Sequence, residues 1–335
     1  MLLVGCGLVQ ADTGVDAGSD AGASGGSSGS TSSDAAADVA VAPQDASSAH
    51  DTWVTVAPMP TARGGLAAAG APDGRIYALG GTDPPAGTRF TTVEAYSPST
   101  NAWSAVPSLS EGRAFFGAVV ASDGRLYAVG DALVMEAFTL PTQTWSDLNT
   151  WFPPTDPVAA ALGADGRIYT VGSGQGWHVD VYTLGITRWG SAALMNTLRE
   201  AVALVSGADG RIYAIGGNVK GQFAPPGLKT VEAYTPGTNS WAPVASMNVG
   251  RTFLAAVAGP DGRIYAIGGM SNDTPIASVE AYTPSTDTWT VVASLSEARA
   301  AHAAAVGADG RIYVMGGFGS LNPQRTATTV EAYAP

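Results

Sequence analysis

Asp73-Gly74-Arg75-Ile76-Tyr77 returns as Asp123-Gly124-Arg125-Leu126-Tyr127, and again over 165–169, 209–213, 261–265 and 309–313. The chain therefore holds six copies of one unit, spaced by about 50 residues, the period range of propeller blades. In such a fold each copy is a small sheet that cannot bury its own faces alone. An Asp-Gly pair between two apolar runs is a strong hairpin signal, because the tight turn demands positive φ. Working outward from Asp73-Gly74 gives four strands per unit. Gly65–Gly70, nearly all Ala and Gly, suits a crowded innermost strand, and Ile76–Leu79 follows the turn. After Gly80-Gly81 and a loop, Thr92–Tyr96 reads as the third strand, and a second tight turn over 97–101 leads to a fourth that begins at Trp103.

The Arg that opens each unit, the diglycine, the Tyr of strand three and the Trp of strand four together resemble the kelch repeat from about residue 51 to the end. The resemblance implies an all-β fold, a six-bladed kelch-type β-propeller with four antiparallel strands per blade. Two copies depart from it, with Gly130-Asp131 and Gly172-Ser173 in place of the diglycine and the shortest following loops. The Trp series starts at Trp53, before any Asp-Gly-Arg turn, while the last copy ends at Tyr333 without one. The N-terminal strand, about 51–58, is therefore expected to complete the sixth blade and close the ring.

The chain divides into residues 1–10, a 40-residue stretch over 11–50, and the propeller over 51–335. Residues 11–50 are Ala, Gly, Ser, Asp and little else, with no Lys or Arg, too poor in large apolar groups to fold, and read as a disordered tether. Its six Asp supply half of the net charge of −12, and this acidic balance argues against nucleic acid as a partner. No apolar run is long enough to span a membrane. The single cysteine, Cys6, excludes an intrachain disulfide. Leu3-Val4-Gly5-Cys6 resembles a bacterial lipobox, which implies lipidation at Cys6 and a secreted or cell-envelope protein, periplasmic or on the cell surface, touching the membrane only through that anchor. The charged start and most of the apolar stretch of a secretory signal are missing. Two readings stay open: a start upstream of Met1, or an incidental Cys6.

Ten residues before each Asp-Gly turn stand Arg63, Arg113, Arg199, Arg251 and Arg299, with Thr155 in the third copy. Strand three opens with Glu94, Glu136, Glu232, Glu280 and Glu331, with Asp180 in the third copy. The double departure in one unit is what an Arg–carboxylate pair would produce. Ligand contact by the same arginines is the other reading, and the kelch resemblance implies it, since arginines here bind acidic peptide side chains in some kelch propellers. Trp177-His178 belongs to no repeat slot and is a candidate contact on the short third loop. His302 stands where other copies carry Leu66, Phe116 or Leu254 and is expected in the core. The Asp-Gly-Arg arginines are expected to be scaffold.

Tight turns join strands one to two and three to four, so variation is confined to the opposite, loop-rich face. With no acid–base or nucleophile constellation left over, the expected function is a non-enzymatic, monomeric binding module on the cell envelope. It would recognise a protein, peptide or glycan, with no cofactor and no metal. The alternative is a kelch-type enzyme acting on an anionic sugar, similar to a sialic acid mutarotase, with Glu111, Glu200 and Glu297 beside the arginines. A copper oxidase of the galactose oxidase kind is disfavoured, because the propeller has no Cys and only His178 and His302.

Overall fold

The computed structural model describes residues 51–83, 86–132, 134–151, 158–172, 178–186, 188–219, 227–319 and 326–335, with backbone alone for 149–151. Cys6, the tether, Thr155 and Trp177 lie outside these residues. Six antiparallel four-stranded sheets surround one axis, and the described residues contain no helix. The first blade runs Ala67–Gly70, Ile76–Leu79, Val93–Ser97 and Ala102–Val106 from axis to rim. The innermost strands of the other blades are Gly117–Val120, Ala159–Leu162, Ala203–Ser206, Ala255–Ala258 and Ala303–Val306. Trp53–Val56 pairs with Val330–Tyr333 as the outer strand of the sixth blade, in the register Trp53 to Tyr333 and Val56 to Val330. The chain ends thus clasp the ring.

The innermost strand of the first blade starts at Ala67, two residues later than the sequence suggests. Gly65 has turned out of the sheet at φ 61°, and its amide donates to the Ala301 carbonyl of the neighbouring blade at 2.7 Å. At the far end of that strand each Asp-Gly-Arg turn is locked by its own side chains. Asp73 accepts from the Arg75 amide at 3.1 Å and from the Tyr77 hydroxyl at 2.7 Å, while the Arg75 guanidinium lies 5.0 Å over the Tyr77 ring. Partial burial alone would raise the Asp73 carboxyl, but the bonds from Tyr77 and Arg75 outweigh it and hold the group below its usual range. All six turns repeat this arrangement, which accounts for the second arginine series as scaffold.

Cohesion lies between blades. Leu66, Ile76, Ala78 and Tyr96 of the first blade pack with Tyr313, Met315 and Val330 of the sixth. On the rim, each tryptophan stacks on the aromatic of its own third strand, as Tyr96 and Trp103 do at 5.2 Å. It also reaches the preceding blade. The Trp103 indole N–H donates to the Ala57 carbonyl at 2.9 Å, Trp145 to Pro107 at 2.8 Å, Trp241 to Ala193 at 2.9 Å and Trp289 to Ala245 at 2.8 Å. Trp53 completes the circle on the Ala293 carbonyl at 2.8 Å. The large aromatic thus fills the widest gap and joins two sheets, consistent with the buried polar tip that an indole requires.

His302 sits in one of these inter-blade cores, 5% exposed, where other blades place Leu66, Phe116 or Leu254. Neither ring nitrogen reaches solvent, and the Ile267 and Arg299 backbone beside them offers no well-formed hydrogen bond. Burial, reinforced by the charge of Arg299, pushes its pKa down to about 3. A base whose folded pKa is depressed supplies full stability above its ordinary value of 6.5 and loses it as pH falls towards 3. His302→Leu should therefore raise Tm at pH 7, and by more at pH 5. Scanning calorimetry at the two pH values checks this; a variant whose advantage shrinks at pH 5 would contradict it.

Candidate functional site

Among the described residues, the five arginines at the blade entries are the largest fully buried side chains, at 0–1% exposure. Arg63 shows where the donors go. Its guanidinium donates to the carbonyls of Gly80 at 3.1 Å, Thr92 at 2.8 Å and Ala78 at 3.2 Å, and to Glu94 at 2.8 Å. The same set recurs as Arg113–Glu136 at 2.7 Å, Arg199–Glu232 at 2.8 Å, Arg251–Glu280 at 2.6 Å and Arg299–Glu331 at 2.8 Å. Each carboxylate also accepts from the entry segment: Glu232 from the Asn196 and Thr197 amides at 2.8 and 3.0 Å, Glu280 from Asn248 and Val249 at 2.7 and 3.1 Å. Burial pushes the Arg63, Arg199, Arg251 and Arg299 guanidinium groups down, and the partner carboxylate opposes it. For Glu232, burial pushes up and the bonds from Arg199 win, leaving the carboxyl below its usual range.

The backbone of the same arginine meets the preceding blade. The Gly81 amide donates to the Arg113 carbonyl at 2.7 Å, Gly217 to Arg251 at 2.9 Å, Gly269 to Arg299 at 2.9 Å and Gly317 to Arg63 at 3.0 Å. A Cβ at Gly80 would lie 2.5 Å from the Arg113 carbonyl oxygen, and both glycines of this pair have positive φ, 56° and 100°. The diglycine is thus required by close approach to the next blade's arginine. In the second blade Asp131 takes the second glycine's place. Its carboxylate accepts from the Ala114 amide at 2.7 Å and pairs with Arg89 at 3.0 Å. Elsewhere the amide after the arginine bonds to a carbonyl of the longer loop, as Thr252 does to Met270 at 3.0 Å. The aspartate side chain supplies the acceptor that a short loop lacks.

Just beyond each arginine the chain forms a ring about the axis at the loop-rich end. Gly65, Phe115, Ala201, Phe253 and Ala301 all have φ between 51° and 61°. Amides in this ring donate to the neighbouring blade's carbonyl: Phe115 to Gly65 at 2.7 Å, Phe253 to Ala201 at 3.1 Å and Ala301 to Phe253 at 2.9 Å. Phe115 and Phe253 project from opposite blades, and their rings meet edge to face at 5.8 Å over the axial cavity. That cavity, about 180 Å³, is lined by the inner strands of all six blades.

Of the residues singled out from the sequence, the five arginines come together as scaffold. The reading in which they line a ligand surface has no solvent-facing guanidinium to support it. His178 is exposed at the start of the third blade's third strand, Glu111 and Glu297 are exposed, and Glu200 is buried beside the ring. Trp177 and Cys6 lie outside the described residues. The sequence reading passed over Phe115 and Phe253. Their signal was present: two residues after the arginine other copies carry Gly65, Ala201 and Ala301, and these two carry a bulky aromatic.

Comparison with known proteins places this geometry. The Kelch motif matches residues 63–110, 203–248 and 251–296. The chain is a six-bladed β-propeller that carries kelch motifs. No curated protein matches it in sequence. Among solved structures the fold is similar to a fungal alcohol oxidase with catalytic diversity among the AA5 family, in complex with copper. The identity is 20% and the TM-score 0.60, covering 81% of this chain and 62% of that one. The likeness is one of fold.

Removing one partner of a buried, hydrogen-bonded ion pair costs about 3–5 kcal/mol. Arg251→Ala also strips the Gly268 and Ser278 carbonyls of their donor. Its unfolding free energy in urea should fall by about that much; a loss under about 1 kcal/mol would contradict a scaffold role.

Proposed function

We propose that the protein is a non-enzymatic binding module that recognises a protein, peptide or glycan through the loop-rich face of its propeller. The observation that carries this reading is how the recurrent residues are used. Every arginine–glutamate pair described is closed on itself within a blade, so the guanidinium groups that would hold an anionic sugar are occupied by the scaffold. What differs between copies stands on one face: the hairpins Thr82–Asp83 with Thr88–Arg89 and Met270–Ser271 with Thr274–Pro275, and the aromatic pair at the axis. Variable loops on a rigid repeat frame are the usual place for recognition.

The alcohol oxidase of similar fold is described as a copper complex, and the residues here do not fit that group. Among the described residues no three His, Cys, Asp or Glu side chains gather in a way that could hold a metal ion. Cys6 lies outside the propeller, and the His302 nitrogens are sealed in an inter-blade core. No step through copper follows for this chain.

Placement in the cell envelope is part of the same proposal, with lipidation at Cys6 and the Asp-rich stretch as a spacer. Metabolic labelling with a lipid precursor should mark the full-length protein and not Cys6→Ser; equal labelling of both would remove the anchor from the proposal. An array of glycans and peptides probed with the full-length protein should show selective binding that loop-face substitutions reduce by tenfold or more. Selective binding that survives those substitutions would place recognition elsewhere.

A further inference from the structure

The ring at the axis has a left-handed backbone at the five described positions, and Gly65, Ala201 and Ala301 meet that need with the smallest residues. Phe115 and Phe253 adopt it at φ 55° and 51°, a conformation that is costly for a bulky side chain. Strain of this kind is kept where something other than folding uses it. The two rings do not serve as core. Both are only partly buried, at the centre of the loop-rich face, and touch each other from opposite blades.

The described connections of the face that carries the pair are acidic. On the connections that reach this face, Asp83, Glu111, Asp273 and Glu297 are exposed, and Glu200 is buried one residue from Ala201, whose carbonyl accepts the Phe253 amide. Against them stands Lys229, since Arg89 is already paired with Asp131 and the five entry arginines are neutralised inside the blades. Asp156, Lys220 and Arg325 lie on the same connections outside the described residues. A partly exposed aromatic pair on an acidic face is complementary to an organic cation, held by the ring quadrupole and guided by the carboxylates.

The geometry points to the Phe115–Phe253 pair as a site for the cationic side chain of a peptide, arginine or lysine, presented to the loop-rich face. This inference rests on the binding-module reading and names the chemistry of its ligand. A planar guanidinium can lie against a ring while its edges reach carboxylates, so arginine should bind better than lysine.

The test is a titration of the full-length protein with capped five-residue alanine peptides whose central residue is Arg, Lys, Gln, Glu or Phe. It is run in 0.15 M and 0.5 M salt, because unspecific attraction between exposed charges is screened at the higher concentration. The Arg peptide should bind about tenfold more tightly than the Gln peptide at both concentrations, and the Glu peptide more weakly than either. Phe115→Gly and Phe253→Gly, each matching the residue at Gly65, should remove that preference while Tm stays level or rises, because the strain is relieved. Equal affinity for Arg and Gln peptides, or tighter binding of the Phe or Glu peptide, overturns the cationic assignment and leaves the binding module standing. So does a preference for Arg that survives both glycine substitutions. A fall in Tm with the Arg preference intact would make the pair a packing feature and end the inference. Binding of none of the peptides also ends it, and the array then decides the broader reading separately.

Discussion

A guanidinium removed from water must be paired and hydrogen-bonded, and the propeller meets that demand five times through a glutamate and backbone carbonyls, with only Nε of Arg63 and of Arg299 left without a partner. Each entry arginine ties the end of strand two to the start of strand three through its carbonyls and glutamate. In four of the five, Arg63, Arg113, Arg251 and Arg299, the residue's own carbonyl also receives the diglycine amide of the blade before it. Side chain and main chain therefore act in different sheets. That double duty explains why the diglycine, the arginine and the glutamate recur together in four copies and why all three are absent together from the third. A buried ion pair is an expensive way to gain stability, because desolvation offsets much of the attraction. What it supplies here is a fixed entry angle for every blade, with the backbone of one arginine setting the position of the next sheet.

Much of this was legible in the residues. Thr155 and Asp180 departing together in one copy pointed to the other five Arg–Glu pairs, with ligand contact left as the other reading. Trp53 standing ahead of the first Asp-Gly-Arg turn identified the strand that closes the ring. What stayed hidden were contacts made to backbone. The tryptophan indoles bond to carbonyls of the preceding blade, and a carbonyl carries no residue identity to read. The innermost strand proved shorter than its Ala-Gly run, since Gly65 turns away to bond across to Ala301. Asp131 looked like a lost glycine and is a replacement acceptor for the Ala114 amide. Phe115 and Phe253 were visible as odd residues in a small-residue slot, but their meeting over the axis depends on ring closure.

The division of labour follows from the repeat. Positions that recur are consumed by blade construction, so recognition falls to positions that break the pattern on the loop-rich face. An arginine ring that looked like an anion site in one dimension is internal in three, and its charge is cancelled where it stands. The exposed remainder of that face is acidic and has aromatic rings at its centre. A propeller built this way presents to its partner a surface whose character is nearly the reverse of the one its recurrent residues suggest.

If the arginines hold neighbouring blades in series, the ring should open as one unit. Native-state hydrogen exchange at the amides of Gly81, Gly217, Gly269 and Gly317 measures this directly. These four should exchange with the same opening free energy as the Ile76–Leu79 strand and track the global unfolding transition in denaturant. Exchange through separate local openings, several kcal/mol below the global value, would show that the blades are joined elsewhere.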